Sequence, residues 1–161
     1  MTNKYIKGLY SCDEVSEPSE SFLDKEIKDK WIKALRSGKY EQTMNRLVSP
    51  VLTHSPLFED TLKGFSYCCL GVLCKVMDKK EVKCSRSSPV EQRSSTDYLR
   101  NYYFETELDS DGMLSKKTLM EVGLTDIDAG ALAERNDQGD SFKEIADIID
   151  QFDIKEKVNG K

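Results

Sequence analysis

The chain has 161 residues, a formal charge of −5 and a pI near 5.1, with 33% charged and 38% hydrophobic residues. That length suits one domain able to bury a core without metal or disulfide staples. The acidity argues against a protein built to grip nucleic-acid phosphates, and the start Met1-Thr2-Asn3-Lys4 leads into no apolar signal core, so a cytoplasmic protein is expected. Five cysteines, three of them in one apolar run, suit reduced thiols better than a disulfide framework.

In chain order, Tyr5–Tyr10 reads as a short strand interrupted by Gly8, and Ser11–Glu20 as a solvated connector, so residues 1–20 form a partly extended N-terminal segment. Ser21 with Asp24 resembles a capping box opening a helix that buries Ile27, Trp31, Ala34 and Leu35 and stops at Gly38. Its exit carries Arg36, Lys39, Tyr40 and Gln42. Cations near the last helical carbonyls are favourable on dipole grounds alone; the sharper reading is a ligand-facing loop, with Arg36 and Lys39 for an anion, Tyr40 to stack and Gln42 to read polar edges. Met44–Phe58, broken by Pro50 and Pro56, predicts short extended pieces, and His54, the only histidine, is expected in a surface turn.

Gly64–Met77 is the one long run that is almost wholly apolar, and it predicts a buried helix at the centre of the domain; it is too short to cross a bilayer. Residues 79–97 are polar and Ser-rich and predict a mobile loop, after which Tyr98, Tyr102, Tyr103 and Phe104, then Thr106 and Leu108, pattern as a half-buried strand. Glu107–Ser115 imitates a calcium loop, but its twelfth position is Thr118 and not Glu, so a turn followed by a Ser115 N-cap explains it better.

A short helix ending at Gly123 follows, then one capped by Thr125 with Asp128 and weakened by Gly130. The last helix begins with a Ser141-x-x-Glu144 box and carries the stripe Ile145, Ala146, Ile148, Ile149 and Phe152, leaving residues 155–161 as a frayed tail. Before it, Arg135–Phe142 reads as a tight polar turn. That turn accounts for Gly139 and Ser141 but not for the adjacent Asn136 and Asp137, which suggest a small-ligand corner. The fold expected is α+β, a compact single domain over residues 1–161, mainly helical, with a central buried helix and a small antiparallel sheet.

Three stretches carry a resemblance: Lys30–Gln42 (KWIKALRSGKYEQ), Tyr67–Cys74 (YCCLGVLC) and Leu132–Ala146 (LAERNDQGDSFKEIA). Together they resemble a family of small uncharacterised proteins encoded mainly by bacteriophages. The resemblance implies an accessory, anti-defence protein that binds and sequesters a small nucleotide-derived immune signal without turning it over. Its expected walls are Arg36, Lys39, Tyr40, Gln42, Arg46, Tyr67, Asn136, Asp137 and Ser141, completed by a second subunit, with no cofactor, metal, membrane or stable nucleic-acid partner. The alternatives are a protein-interaction inhibitor of a host defence enzyme and, third, a nucleotide-processing enzyme. A catalytic cysteine would need an accessible, acidified thiol, and a zinc site would need paired C-x-x-C spacing; neither is present in the sequence.

Overall fold

A computed structural model of the protein describes residues 5–10, 19–83, 102–105, 107 and 113–156. The described residues run in the order β1 (Phe22–Leu23), α1 (Lys25–Arg36), β2 (Glu41–Gln42), β3 (Val48–Ser55), β4 (Phe58–Tyr67), α2 (Cys69–Val76), β5 (Glu81–Lys83), β6 (Tyr102–Phe104), α3 (Lys116–Val122), α4 (Asp126–Asp137), α5 (Phe142–Asp150) and β7 (Asp153–Ile154). Of the described residues, helix takes 40% and strand 25%, a mixed α/β composition in which strands hold a larger share than a mainly helical domain would give them. In place of the one antiparallel sheet expected there are three small sheets among the described residues. β1 pairs parallel with β7, β2 runs parallel and β3 antiparallel to β4, and β5 pairs antiparallel with β6.

The apolar run divides in two. Gly64–Tyr67 completes β4, where Phe65 and Tyr67 face one way and Ser66 the other, and Cys68 in extended conformation turns the chain into α2. From Cys69 to Cys74 every residue of α2 is buried, so the expectation of a buried helix holds for this half of the run alone. Gly71 is required by contact: a Cβ there would lie 1.8 Å from the carbonyl oxygen of Leu47. The Trp31 indole, itself fully buried on α1, donates to the Cys69 carbonyl at 2.9 Å and ties α1 to the start of α2. α5 lays its stripe of Ile145, Ala146, Ile148 and Ile149 into the same core, and buried Lys28 of α1 donates to the Asp150 and Phe152 carbonyls, satisfying acceptors that the end of α5 leaves open.

Four local expectations change. Tyr5–Tyr10 is a turn and not a strand, with Gly8 at φ +81° against Ile148. α1 is capped by Asp24, whose carboxylate accepts the Ile27 N–H, while Ser21 bonds elsewhere. His54 lies within β3, not in a turn. α4 continues through Gly130 to Asp137, so Asn136 and Asp137 occupy its last turn instead of a loop. The caps at Ser115, Thr125 and Ser141 and the left-handed stop at Gly123 are as expected. Most of the expected 79–97 loop, the aromatic Tyr98, the strand positions Thr106 and Leu108, most of the calcium-like stretch and the end of the tail lie outside the described residues.

Candidate functional site

The last turn of α4 and the loop around β2 bring Gln42, Asn136 and Asp137 together, as the sequence suggested. Asn136 is fully buried and fully bonded: its Oδ1 accepts from Gln42 Nε2 at 3.0 Å and from the Cys69 N–H at 3.1 Å, and its Nδ2 donates to the Thr43 carbonyl at 2.8 Å and to Asp137 Oδ1 at 3.3 Å. Gln42 Nε2 also donates to the Asp140 carbonyl at 2.8 Å. Asp137 accepts the Asn45 N–H at 2.8 Å, holding a residue with φ +61° that few side chains adopt readily. The corner therefore joins α4, β2, the β2–β3 loop and the N-terminus of α2, and its polar groups face one another. Ser141 is occupied by its capping box with Glu144.

Of the remaining candidates, Arg36, Lys39, Tyr40 and Tyr67 place their side chains in other contacts, although Tyr67 is the strand partner of Gln42 and its carbonyl accepts the Thr43 N–H. Arg36 pairs across to α5, 2.7 Å from Asp147 and 3.9 Å from Asp150, on an open groove with Asp29, Ile32, Lys33 and Ser37. Lys39 sits 5.6 Å above the Tyr40 ring, and Tyr40 meets Tyr67 edge to face at 5.7 Å. Arg46 is exposed. Tyr67 donates its hydroxyl to Glu81 Oε1, which also pairs with Lys75 at 2.9 Å. Burial, then the Glu81 bond, raise the Tyr67 pKa; burial pushes Glu81 the other way from its partners, but bonds from Tyr67 and Lys75 prevail and hold its carboxyl below the usual range.

Sequence reasoning missed three features. Lys75 and Glu81 complete the Tyr67 cluster from α2 and β5, a pairing with no local pattern. Glu107, fully buried, receives the Ser115 N–H and the Thr118 hydroxyl at the start of α3 and lies 3.4 Å from Lys79 Nζ, so this carboxylate is engaged by protein and not held open as a calcium ligand. The outer part of the β3–β4 ribbon exposes large apolar side chains at its tip, Leu57 at 83% and Phe58 at 78%. Adjacent clusters of hydrophobic residues at a hairpin turn were the available signal.

The cysteine chemistry considered from sequence finds no support in the geometry. Burial raises the Cys68 thiol to about 11 and drives Cys69 and Cys74 upward as well, while His54 stands on the exposed ribbon 3.0 Å from Asp60. Among the described residues no group of three or more His, Cys, Asp or Glu side chains could hold a metal ion, and no helix is long and apolar enough to cross a membrane.

Residues 23–153 match a family described as a domain of unknown function, DUF8296, and the chain belongs to that family. Neither the curated proteins nor the solved structures contain a match.

Proposed function

We propose that the protein is a non-catalytic inhibitor that works by docking on another protein, with α2 as its buried scaffold and the tip of the β3–β4 ribbon as its contact. The observation carrying this reading is the exposure of Leu57 and Phe58 side by side at a turn, where neither contributes to the core. Apolar anchors supply most of an interface's affinity, and a Leu-Phe pair at the end of a ribbon that carries the polar Thr53–Thr61 and His54–Asp60 pairs offers such an anchor. The anti-defence resemblance supplies the kind of partner, a cytoplasmic host defence enzyme. The test is co-purification with candidate defence enzymes: a stoichiometric complex lost in Leu57→Asp/Phe58→Asp supports the reading, and a complex indifferent to that change refutes it.

A second reading retains the sequestered nucleotide-derived signal but relocates its wall. Tyr40, half-buried under Lys39 and touching the Tyr67, Lys75 and Glu81 cluster, offers a stacking face beside two cations and a carboxylate. Calorimetry with cyclic nucleotides and ADP-ribose derivatives tests it. Binding that Tyr40→Ala abolishes, with the ligand recovered unchanged, supports sequestration, and no binding across the panel refutes it.

A further inference from the structure

The family match begins at residue 23, yet residues 5–10 and 19–21 are fastened to the matched domain by a specific set of contacts. Ile6 and Leu9 are buried in the core cluster while Tyr5 is 65% exposed, and a turn closed by Leu9 N–H to the Ile6 carbonyl sets the two aliphatics three residues apart on one side. Gln151, just after α5, reads the backbone of Lys7 in both directions: its Oε1 accepts the Lys7 N–H at 3.0 Å and its Nε2 donates to the Lys7 carbonyl at 3.0 Å. At the first turn of α4, the buried carboxylate of Asp128 accepts the hydroxyls of Tyr10 at 2.8 Å, Ser19 at 2.7 Å and Ser21. All its described side-chain partners thus come from before residue 23.

A side-chain amide pairing with main-chain N–H and C=O, an apolar seat for two aliphatics, and a carboxylate collecting hydroxyl donors are elements by which a domain recognises a peptide segment, here one folded into a turn. We propose that the face made by the first turn of α4 together with α5 and Gln151 is a peptide-docking surface, occupied in cis by the chain's own N-terminal segment and able to take the same segment from a second copy. The partner it fits carries two aliphatics three apart, then a phenol, then a Ser-x-Ser pair. The hydroxyls that satisfy the Asp128 carboxylate belong to the segment that covers it, and the carboxylate stands in the first turn of α4, where the helix dipole favours it. Of the described residues 5–10 only Ile6 and Leu9 are buried, with Ser19 and Ser21 further on, and a segment with so few buried apolar side chains belongs among those parts of a fold that open before the core. Exchange between copies would give a swapped pair without any new interface.

Two measurements on the full chain test this. Native-state hydrogen exchange of the wild type should release the Lys7 and Leu9 amides at least 100-fold faster than those of Ile148 and Ile149; equal rates would make the segment part of the core and overturn the proposal. A fluorescein-labelled peptide of residues 1–22 should then bind Ile6→Asp/Leu9→Asp, whose own segment is weakened, at least tenfold more tightly than it binds wild type, and a peptide carrying the same two changes should not bind. Equal binding of the peptide to both proteins, or none to a variant that keeps its helical circular dichroism, overturns it; a variant that loses its helices would likewise show that the segment is integral to the fold.

Discussion

Asn136→Ala separates a structural corner from a ligand site. The side chain satisfies three groups besides Asp137: the Cys69 N–H, the Thr43 carbonyl and one hydrogen of Gln42. Gln42 keeps its bond to the Asp140 carbonyl, so the substitution orphans chiefly the Cys69 N–H and the Thr43 carbonyl. An unsatisfied buried group costs about 1–3 kcal/mol, so the two together cost about 2–6 kcal/mol in urea denaturation. For a chain of this size that corresponds to a fall in Tm of roughly 5–20 °C. Gln42→Ala should cost less, about 1–2 kcal/mol, and the double variant should be non-additive by more than about 0.5 kcal/mol because both residues serve one network. A stability for Asn136→Ala within about 0.5 kcal/mol of wild type would refute this accounting, and if ligand binding were lost at the same time, Asn136 would return to the list of ligand walls.

The other expectations are simpler to read. Gly71→Ala drives a methyl to within 1.8 Å of the Leu47 carbonyl oxygen, which requires α2 to move off the backbone just before β3 and should cost about 3 kcal/mol or more by thermal denaturation. Cys68, Cys69 and Cys74 should resist iodoacetamide at pH 8 in the native protein and react only after urea is added, since burial holds all three thiols protonated there. Glu81 is held below the ordinary carboxyl pKa in the fold, so its contribution is complete above the unfolded value near 4.5 and is lost as pH falls through the lower folded value; Glu81→Gln should flatten this acid limb of a stability-against-pH curve. Leu57→Asp/Phe58→Asp should leave stability within about 0.5 kcal/mol of wild type, because neither side chain lies in the core.

What the sequence made legible follows the reach of each signal. Ser115, Thr125 and Ser141 cap their helices as expected because an N-cap bond spans only three residues and is written in the local pattern. The apolar run was harder. Phe65 and Tyr67 pack as strand residues on β4, and Cys69–Cys74 as helix, yet composition is the same across the break, and only the pairing of β3 with β4 and the close approach of Leu47 to Gly71 separate them. Asn136 and Asp137 carry more polar groups than a turn requires, and in the fold they stand in the last turn of α4 and bond to other elements. Their bonding partners, from Gln42 to Cys69, lie 67 to 94 residues away, and no local pattern announces them.

The same limit explains why the local pattern at Asp128 announces only one half of its work. Its backbone N–H does complete the Thr125 cap, a relation over three residues, but its carboxylate bonds Tyr10, Ser19 and Ser21 at separations above a hundred. The helix dipole favours a first-turn aspartate by only about 0.3–1 kcal/mol, too little to offset burying its carboxylate, so Asp128 depends on those hydroxyls. Three hydroxyls converging on a buried carboxylate satisfy its charge and, by the same bonds, tie the segment that carries them to α4, a role distinct from the helix cap. That distinction gives Asp128→Asn a diagnostic outcome: the amide keeps the helix cap through the unchanged backbone N–H, so circular dichroism should hold, while the Lys7 and Leu9 amides should lose protection. If those amides exchanged as slowly in Asp128→Asn as in wild type, the hydroxyl contacts would not be what holds the N-terminal segment in place.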